Sequence, residues 1–359
     1  MINVKEKAEV VKDGGILGDM SSMGHEQVLF CNDEQTGLRA IIAVHNTVLG
    51  PSLGGTRMWN YSSEQEALKD VLRLSRGMTF KASISGLNLG GGKAVIIGNS
   101  KTDKSEALFR RFGQFVDSLN GKYITAEDVG INPQDINWVA QETSHVSGLP
   151  GKGGDPSPVT AYGVYMGMKA SAKVQWGSDS LAGKTIAVQG AGHVGMYLIE
   201  YLAKEKANIV VTDIDKEAVG VAVSKYSASA VDLDDIYDVN MDIYAPCALG
   251  ATVNDSTLKR LNCSIIAGAA NNQLESEIHH GSMVMEKGII YAPDFLINAG
   301  GLINCYSELH GYDKKGAMSQ TEKIYQTTLD IIAMSKNEGI PTYMAANRMA
   351  EDRIEKNRK

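Results

Sequence analysis

Lys81 and Lys93 stand in apolar, glycine-rich surroundings, GMTFK (77–81) and GGGK (90–93), without the charged neighbours that surface lysines usually have. Two ammonium groups in one cleft repel, and partial burial disfavours the charged form further. Both effects move a lysine toward neutrality. One lysine of such a pair could hold a carboxylate while the other works as a base. Asp128, in TAEDVG just ahead of the Gly130 turn, could supply a carboxylate that relays protons. A third segment, Leu53-Gly54-Gly55-Thr56-Arg57-Met58, has the same glycine-rich character. The residues alone also allow a second reading, two structural lysines whose stems snorkel along apolar surface.

A separate pattern fits a dinucleotide. Thr185 to Gln189 predicts a strand, Gly190-Ala-Gly192-His-Val-Gly195 follows at once, 196–203 predicts a helix, and 208–212 predicts a second strand ending at Asp213. In that order the glycines form a Rossmann fingerprint. Gly190 permits the tight turn, Gly192 lets a pyrophosphate approach the backbone, and Gly195 lets the helix sit close to the strand. The helix start, with His193 and Val194, offers N–H groups and partial positive charge to the phosphates. His193 reads as a loop residue rather than a catalyst. Asp213 can accept hydrogen bonds from the adenosine ribose and repels a 2′-phosphate, so NAD is expected over NADP.

The elements that must position these residues follow from periodicity. Residues 28–31 and 38–44 read as strands joined by turn residues. Ser63 and Glu66 have capping-box spacing and open an amphipathic helix whose end Arg76-Gly77 should mark. Residues 94–97 predict a buried strand and 105–119 a second helix. The segment SGLPGKGGDPSP (147–158) holds four glycines and three prolines and reads as an interdomain hinge that lets two domains close over substrate. Beyond it a helix, then alternating strands and helices to about residue 340, imply parallel βαβ units. Residues 342–358 are a helical pattern expected to pack back on the first domain. The fold class is α/β with two domains. Residues 1–147 with 342–359 form an N-terminal α/β domain for catalysis, substrate binding and oligomerisation. Residues 148–341 form a Rossmann-type NAD-binding domain. The first 20 or so residues look weakly structured.

Composition excludes other classes. The chain has 359 residues, 43% hydrophobic and 21% charged, with a net charge of -7 and no block of like charge that would suit nucleic acid. No apolar run reaches the roughly 18 residues of a membrane span, and the first 25 residues lack a signal-like apolar core. Cys31, Cys247, Cys263 and Cys305 are scattered, without a CxxC pair or Cys/His cluster, so no metal site or disulfide framework is expected. A reduced, cytoplasmic setting is the default expectation.

Beyond these patterns the chain resembles the leucine branch of the glutamate/leucine/phenylalanine/valine dehydrogenase family. The matching stretches are LGPSLGGTRMWNY, RGMTFKASISGLNLGGGKAVIIG, LNGKYITAEDVG, DPSPVTAYGVYMGMKA, DIYAPCALGATVND, IIAGAANNQLE and YAPDFLINAGGLIN, which cover most of residues 25–355. The resemblance implies NAD-dependent oxidative deamination of a branched-chain L-amino acid to the 2-oxo acid and ammonia, in a homo-oligomer. It implies Lys93 as the general base that activates water, Lys81 as the holder of the substrate α-carboxylate, and Asp128 as an assistant in proton transfer. Asn271 would contribute near the carboxylate and the cofactor, and Thr160 near the nicotinamide end. Leu53, Gly54 and Ala126 would line an apolar side-chain pocket. Glutamate members carry a lysine in place of Leu53, and without that cation a side-chain carboxylate would be left unpaired. Leu302 and Cys305 would also line the substrate pocket, and both stand where the leucine branch commonly has valine. Three further readings are a related amino-acid dehydrogenase preferring valine or an aromatic amino acid, a 2-hydroxy-acid dehydrogenase, which would leave the lysine pair unexplained, and an inactive NAD-binding regulator, against which Lys81, Lys93 and Asp128 argue.

Overall fold

The computed structural model describes residues 15–149 and 153–358. The start of the N-terminal segment and residues 150–152 of the expected hinge lie outside the described residues. The chain divides into two compact units, Met1–Lys152 with Ile354–Lys359, and Gly153–Arg353.

Unit 1 contains α1 (Ile16–Met23), β1 (Gln27–Asp33), β2 (Leu38–Asn46), β3 (Ser52–Leu53), β4 (Thr56–Trp59), α2 (Glu64–Ile84), β5 (Gly90–Ile97), α3 (Glu106–Ser118), β6 (Tyr123–Ile124) and α4 (Pro133–Val139). The sheet runs β1-β2-β5-β3-β6, with β4 also paired to β5. The β1–β2 hairpin closes where the amide and hydroxyl of Thr36 donate to the Asp33 carboxylate at 3.0 and 2.8 Å. Both faces of β2 are covered, which is why its sequence is an unbroken apolar run rather than an alternation. Ala40, Ile42 and Val44 pack with Phe109, Phe112 and Val139 from α3 and α4. Ile41 and Ala43 pack with Leu68, Val71 and Leu72 of α2.

Two expectations for this unit need correction. Residues 16–23 are helical where weak structure was expected, because Met20 and Met23 rest on the α2 cluster. Helix α2 does not end at Arg76-Gly77 but continues to Ile84. A helical glycine costs about 1 kcal/mol. The buried Phe80 and Ile84 beyond it each return roughly 1.5–3 kcal/mol, so packing overrides the local signal. The Ser63 cap forms, accepting from the Glu66 amide at 3.1 Å. The Glu66 carboxylate, however, turns to the amide and hydroxyl of Ser62.

Unit 2 contains α5 (Ser157–Trp176), β7 (Thr185–Gln189), α6 (His193–Lys204), β8 (Asn208–Thr212), α7 (Lys216–Tyr226), β9 (Ser229–Ala230), β10 (Ile243–Pro246), α8 (Thr257–Arg260), β11 (Ile265–Ile266), α9 (Glu277–Glu286) and β12 (Ile290–Tyr291). All its pairings are parallel, in the order β12-β11-β10-β7-β8-β9. This is the doubly wound arrangement with its switch point between β7 and β10. The strands stop at Tyr291, not near residue 340. Four helices complete the chain: α10 (Asp294–Ile297), α11 (Gly300–Leu309), α12 (Lys314–Glu338) and α13 (Thr342–Asn357). In α12, Thr321, Ile324, Thr328, Ile331, Ile332 and Ser335 recur at helical spacing and are buried. The expected assignment of all of 342–359 to the first domain also differs from the structure. The Thr342 hydroxyl donates to the Tyr291 carbonyl at 2.7 Å, and Tyr343 joins Leu274 and Val284 in a unit 2 core. Only Ile354–Lys359 group with unit 1.

Candidate active site

In unit 1 the glycine-rich strand β5 lets its neighbours come close enough to bury a lysine. Leu53 of β3 pairs with Gly91 on one side and Ile124 of β6 on the other. A Cβ on Gly54 would lie 1.8 Å from the Gly92 carbonyl oxygen, and one on Gly91 would lie 2.1 Å from the Thr79 amide of α2. Only glycine fits at either place. The segment after β6 is pinned alongside, with the Thr56 amide donating to the Ala126 carbonyl at 2.8 Å and the Met58 amide to that of Val129 at 2.9 Å.

These pairings bring Lys93 and Asp128 together. Lys93 is 5% exposed, and its Nζ lies 3.0 Å from Asp128 Oδ2. The same oxygen accepts from Arg57 Nε at 3.0 Å. Arg57 Nη1 in turn reaches Asp70 Oδ2 at 3.0 Å, where the Tyr61 hydroxyl also donates at 2.8 Å. Leu53 and Ala126 are buried beside this cluster in the strand order. Burial holds Lys93 below the usual lysine range, with the Arg57 charge adding to it and Asp128 opposing. Burial pushes the Asp128 carboxyl up, but Lys93 and Arg57 outweigh it and hold it below the usual carboxylate range. The sequence suggests Lys81 as the second cation of this cluster. Arg57 is a cation of this cluster that the sequence pattern does not assign, and Lys81 sits half-buried in the last turn of α2.

Unit 2 carries the residues of the glycine fingerprint. Gly190 has φ +114°, and a Cβ there would press on Ala248 at 2.8 Å. Gly192 caps α6 with open space around it, whereas a Cβ on Gly195 would lie 2.0 Å from the Gly190 carbonyl oxygen. Among the described residues no side chain caps α6, so the amides of its first turn, His193 and Val194 included, stay available to phosphate. Asp213 follows β8 and accepts from the amides of Ala191 and Asp215 at 2.6 and 2.8 Å. Thr160 lies in the first turn of α5, its hydroxyl donating to the Pro156 carbonyl, and Gly300 at the start of α11 approaches its backbone. Asn271 is exposed, and its Oδ1 accepts from Asn298 Nδ2 at 2.8 Å. Leu302, buried, and Cys305, half-buried, lie three residues apart on α11.

Residues 25–145 match the family model described as Glu/Leu/Phe/Val dehydrogenase, dimerisation domain. Residues 153–222 and 210–359 match that of Glutamate/Leucine/Phenylalanine/Valine dehydrogenase. The chain belongs to this family. It is an amino-acid dehydrogenase. A leucine dehydrogenase of Geobacillus stearothermophilus is 56% identical over 343 residues, 95% of this chain and 93% of its own. A phenylalanine dehydrogenase of Caldalkalibacillus thermarum is 48% identical, with 92% of each covered. The crystal structure of L-tryptophan dehydrogenase from Nostoc punctiforme superposes with a TM-score of 0.87 at 47% identity, covering 94% of this dehydrogenase and 98% of that chain.

Sequence reasoning missed several residues of the dehydrogenase. No spacing or motif in the sequence assigns a role to Arg57, Asp70, Tyr61 or Asn298. No Cys/His cluster was visible in the sequence, yet folding gathers Asp255, His279 and His280. His280 Nδ1 accepts from the Ser276 amide at 2.9 Å, which places the ring proton on Nε2. That nitrogen faces Asp255 at 3.6 Å without a lone pair to offer a cation.

Proposed function

We propose that this dehydrogenase converts a branched-chain L-amino acid, leucine first, to its 2-oxo acid and ammonia with NAD, reversibly. The observation that carries the reading is the buried Lys93 paired with Asp128 beside apolar Leu53 and Ala126. A lysine held below its usual range can be neutral at the pH of the reaction and take a proton from water. Asp128 stays ionised and steadies the protonated lysine between transfers. Lys81 would hold the substrate α-carboxylate, and Asn271 would assist there. NAD, when bound, would accept a hydride from the substrate Cα. Gly190, Gly192, His193, Val194 and Gly195 would hold its pyrophosphate, Asp213 its adenosine ribose, and Thr160 and Asn271 would lie toward the nicotinamide.

Leu53, Gly54 and Ala126 of unit 1 and Leu302 and Cys305 of unit 2 are the proposed substrate-binding residues, and none of them offers a cation for a second carboxylate, which disfavours glutamate. The 56% identity to a leucine dehydrogenase supports leucine. A second reading, an aromatic amino acid, is favoured by the phenylalanine and tryptophan relatives at 48% and 47%. We further propose a cytoplasmic homo-oligomer without nucleic-acid or membrane partners. Among the described residues no helix is long and apolar enough to cross a membrane.

Lys93→Ala tests the base. It should lower kcat by more than about a hundredfold while leaving NAD affinity unchanged. A kcat within about tenfold of the parent would contradict the assignment.

A further inference from the structure

We propose that Arg57 is a positioning residue for the reaction, fixing the Asp128 carboxylate against the Lys93 amine while Asp70 and Tyr61 fix Arg57 itself. The proposal rests on the reading of Lys93 as the base. Arg57 lies on β4 in register with Val95 of β5, two residues beyond Lys93. Both side chains therefore lie on the sheet face that α2 covers, and α2 contributes Asp70. One planar guanidinium spans two carboxylates, with Nε on Asp128 and Nη1 on Asp70, each at 3.0 Å. Their side chains are only 24% and 17% exposed, and that of Arg57 is 22% exposed, so solvent cannot replace the contacts without rearrangement. A carboxylate held by the lysine alone could rotate as that lysine gains and loses its proton. A second, permanently charged donor on the same oxygen keeps it in place through both states.

The charged groups that act most strongly on Lys93 are Asp128 from the segment after β6, Arg57 from β4 and Asp70 from α2. Removing Arg57 removes a cation and leaves the amine with Asp128 and, more weakly, with Asp70, which still pairs with Arg73 at 3.0 Å. Lys93 then holds its proton to higher pH.

The test compares parent, Arg57→Met and Arg57→Lys in pH profiles of kcat/KM for leucine with NAD. Arg57→Met should lose more than about tenfold of its plateau rate and move the rising limb up by about one pH unit, with the KM for NAD unchanged. Added guanidinium should restore part of both. Arg57→Lys keeps the charge but not the fork. It should leave the limb near its parent position and lower kcat, and it carries the test if the methionine variant does not fold. A merely structural role would lower thermal stability and rate without moving the limb, and an unmoved limb in Arg57→Met would overturn the proposal. Parent-like kcat in Arg57→Lys would also overturn it, because charge alone would then suffice. If the limb persists in the residual activity of Lys93→Ala, the base itself is misassigned and the Arg57 proposal falls with it. If that limb vanishes while Arg57→Met leaves it in place, only the Arg57 role is wrong.

Discussion

At the reacting end of unit 1, a single oxygen of Asp128 carries two cations, and this shared atom governs how the site responds to pH. The proposed base works when Lys93 is neutral, so deamination should rise as pH increases through a lysine pKa that burial has lowered. Asp128 is the chief group opposing that shift. Asp128→Asn should therefore move the limb of kcat/KM to lower pH, the opposite direction to Arg57→Met, while kcat falls on the order of a hundredfold. A limb displaced to higher pH in Asp128→Asn would mean that the carboxylate does not act on this lysine. Lys93 and Asp128 were legible in the sequence because a lysine among glycines and alanines has no solvated-surface explanation. Arg57 was not. Its partners lie 13 and 71 residues away, and neither separation is a periodicity that a strand or helix imposes. Asp213 was legible through its place after a second strand, and kcat/KM with NADP should fall well below that with NAD. Comparable values for the two cofactors would contradict its proposed role at the ribose.

At the scale of elements, the two glycines that flank the start of α6 make different demands. Gly192 faces open space, while Gly195 sits against the Gly190 carbonyl. Gly192→Ala should leave the thermal midpoint nearly unchanged and weaken NAD, because the added methyl occupies space that the pyrophosphate needs. Gly195→Ala should lower both stability and NAD affinity, since the helix must move off the turn. Thermal melts and NAD titrations of both variants separate the two, and equal loss of stability in both would refute the distinction. Both glycines could be read from sequence, because strand, turn and helix are contiguous there. The end of α2 could not. Gly77 is a local stop signal, but the burial of Phe80 and Ile84 comes from packing against a sheet whose strands lie elsewhere in the chain. The run of helices after Tyr291 was blurred in the same way, since short buried strands and buried helix turns share an apolar composition.

For the whole molecule, the two-domain α/β plan was visible in the change from an antiparallel hairpin pattern to repeating strand–helix units. The partition of the last helix was not, because Thr342 and Tyr343 are held by Tyr291 and the core around Leu274, which only folding brings near. Unit 1 holds the proposed acid–base pair and unit 2 the proposed nucleotide-binding residues, so the proposed reaction needs both. The most direct test is a panel of leucine, isoleucine, valine, phenylalanine, tryptophan, glutamate and a 2-hydroxy acid, each with NAD, tracking NADH formation and release of ammonia. The highest kcat/KM is expected for a branched aliphatic amino acid, with ammonia released in step with NADH. The differences among the three branched substrates should be small, since one methylene is worth only about 1–3 kcal/mol. A highest kcat/KM for glutamate or an aromatic amino acid, or NADH formed from the hydroxy acid without ammonia, would contradict it.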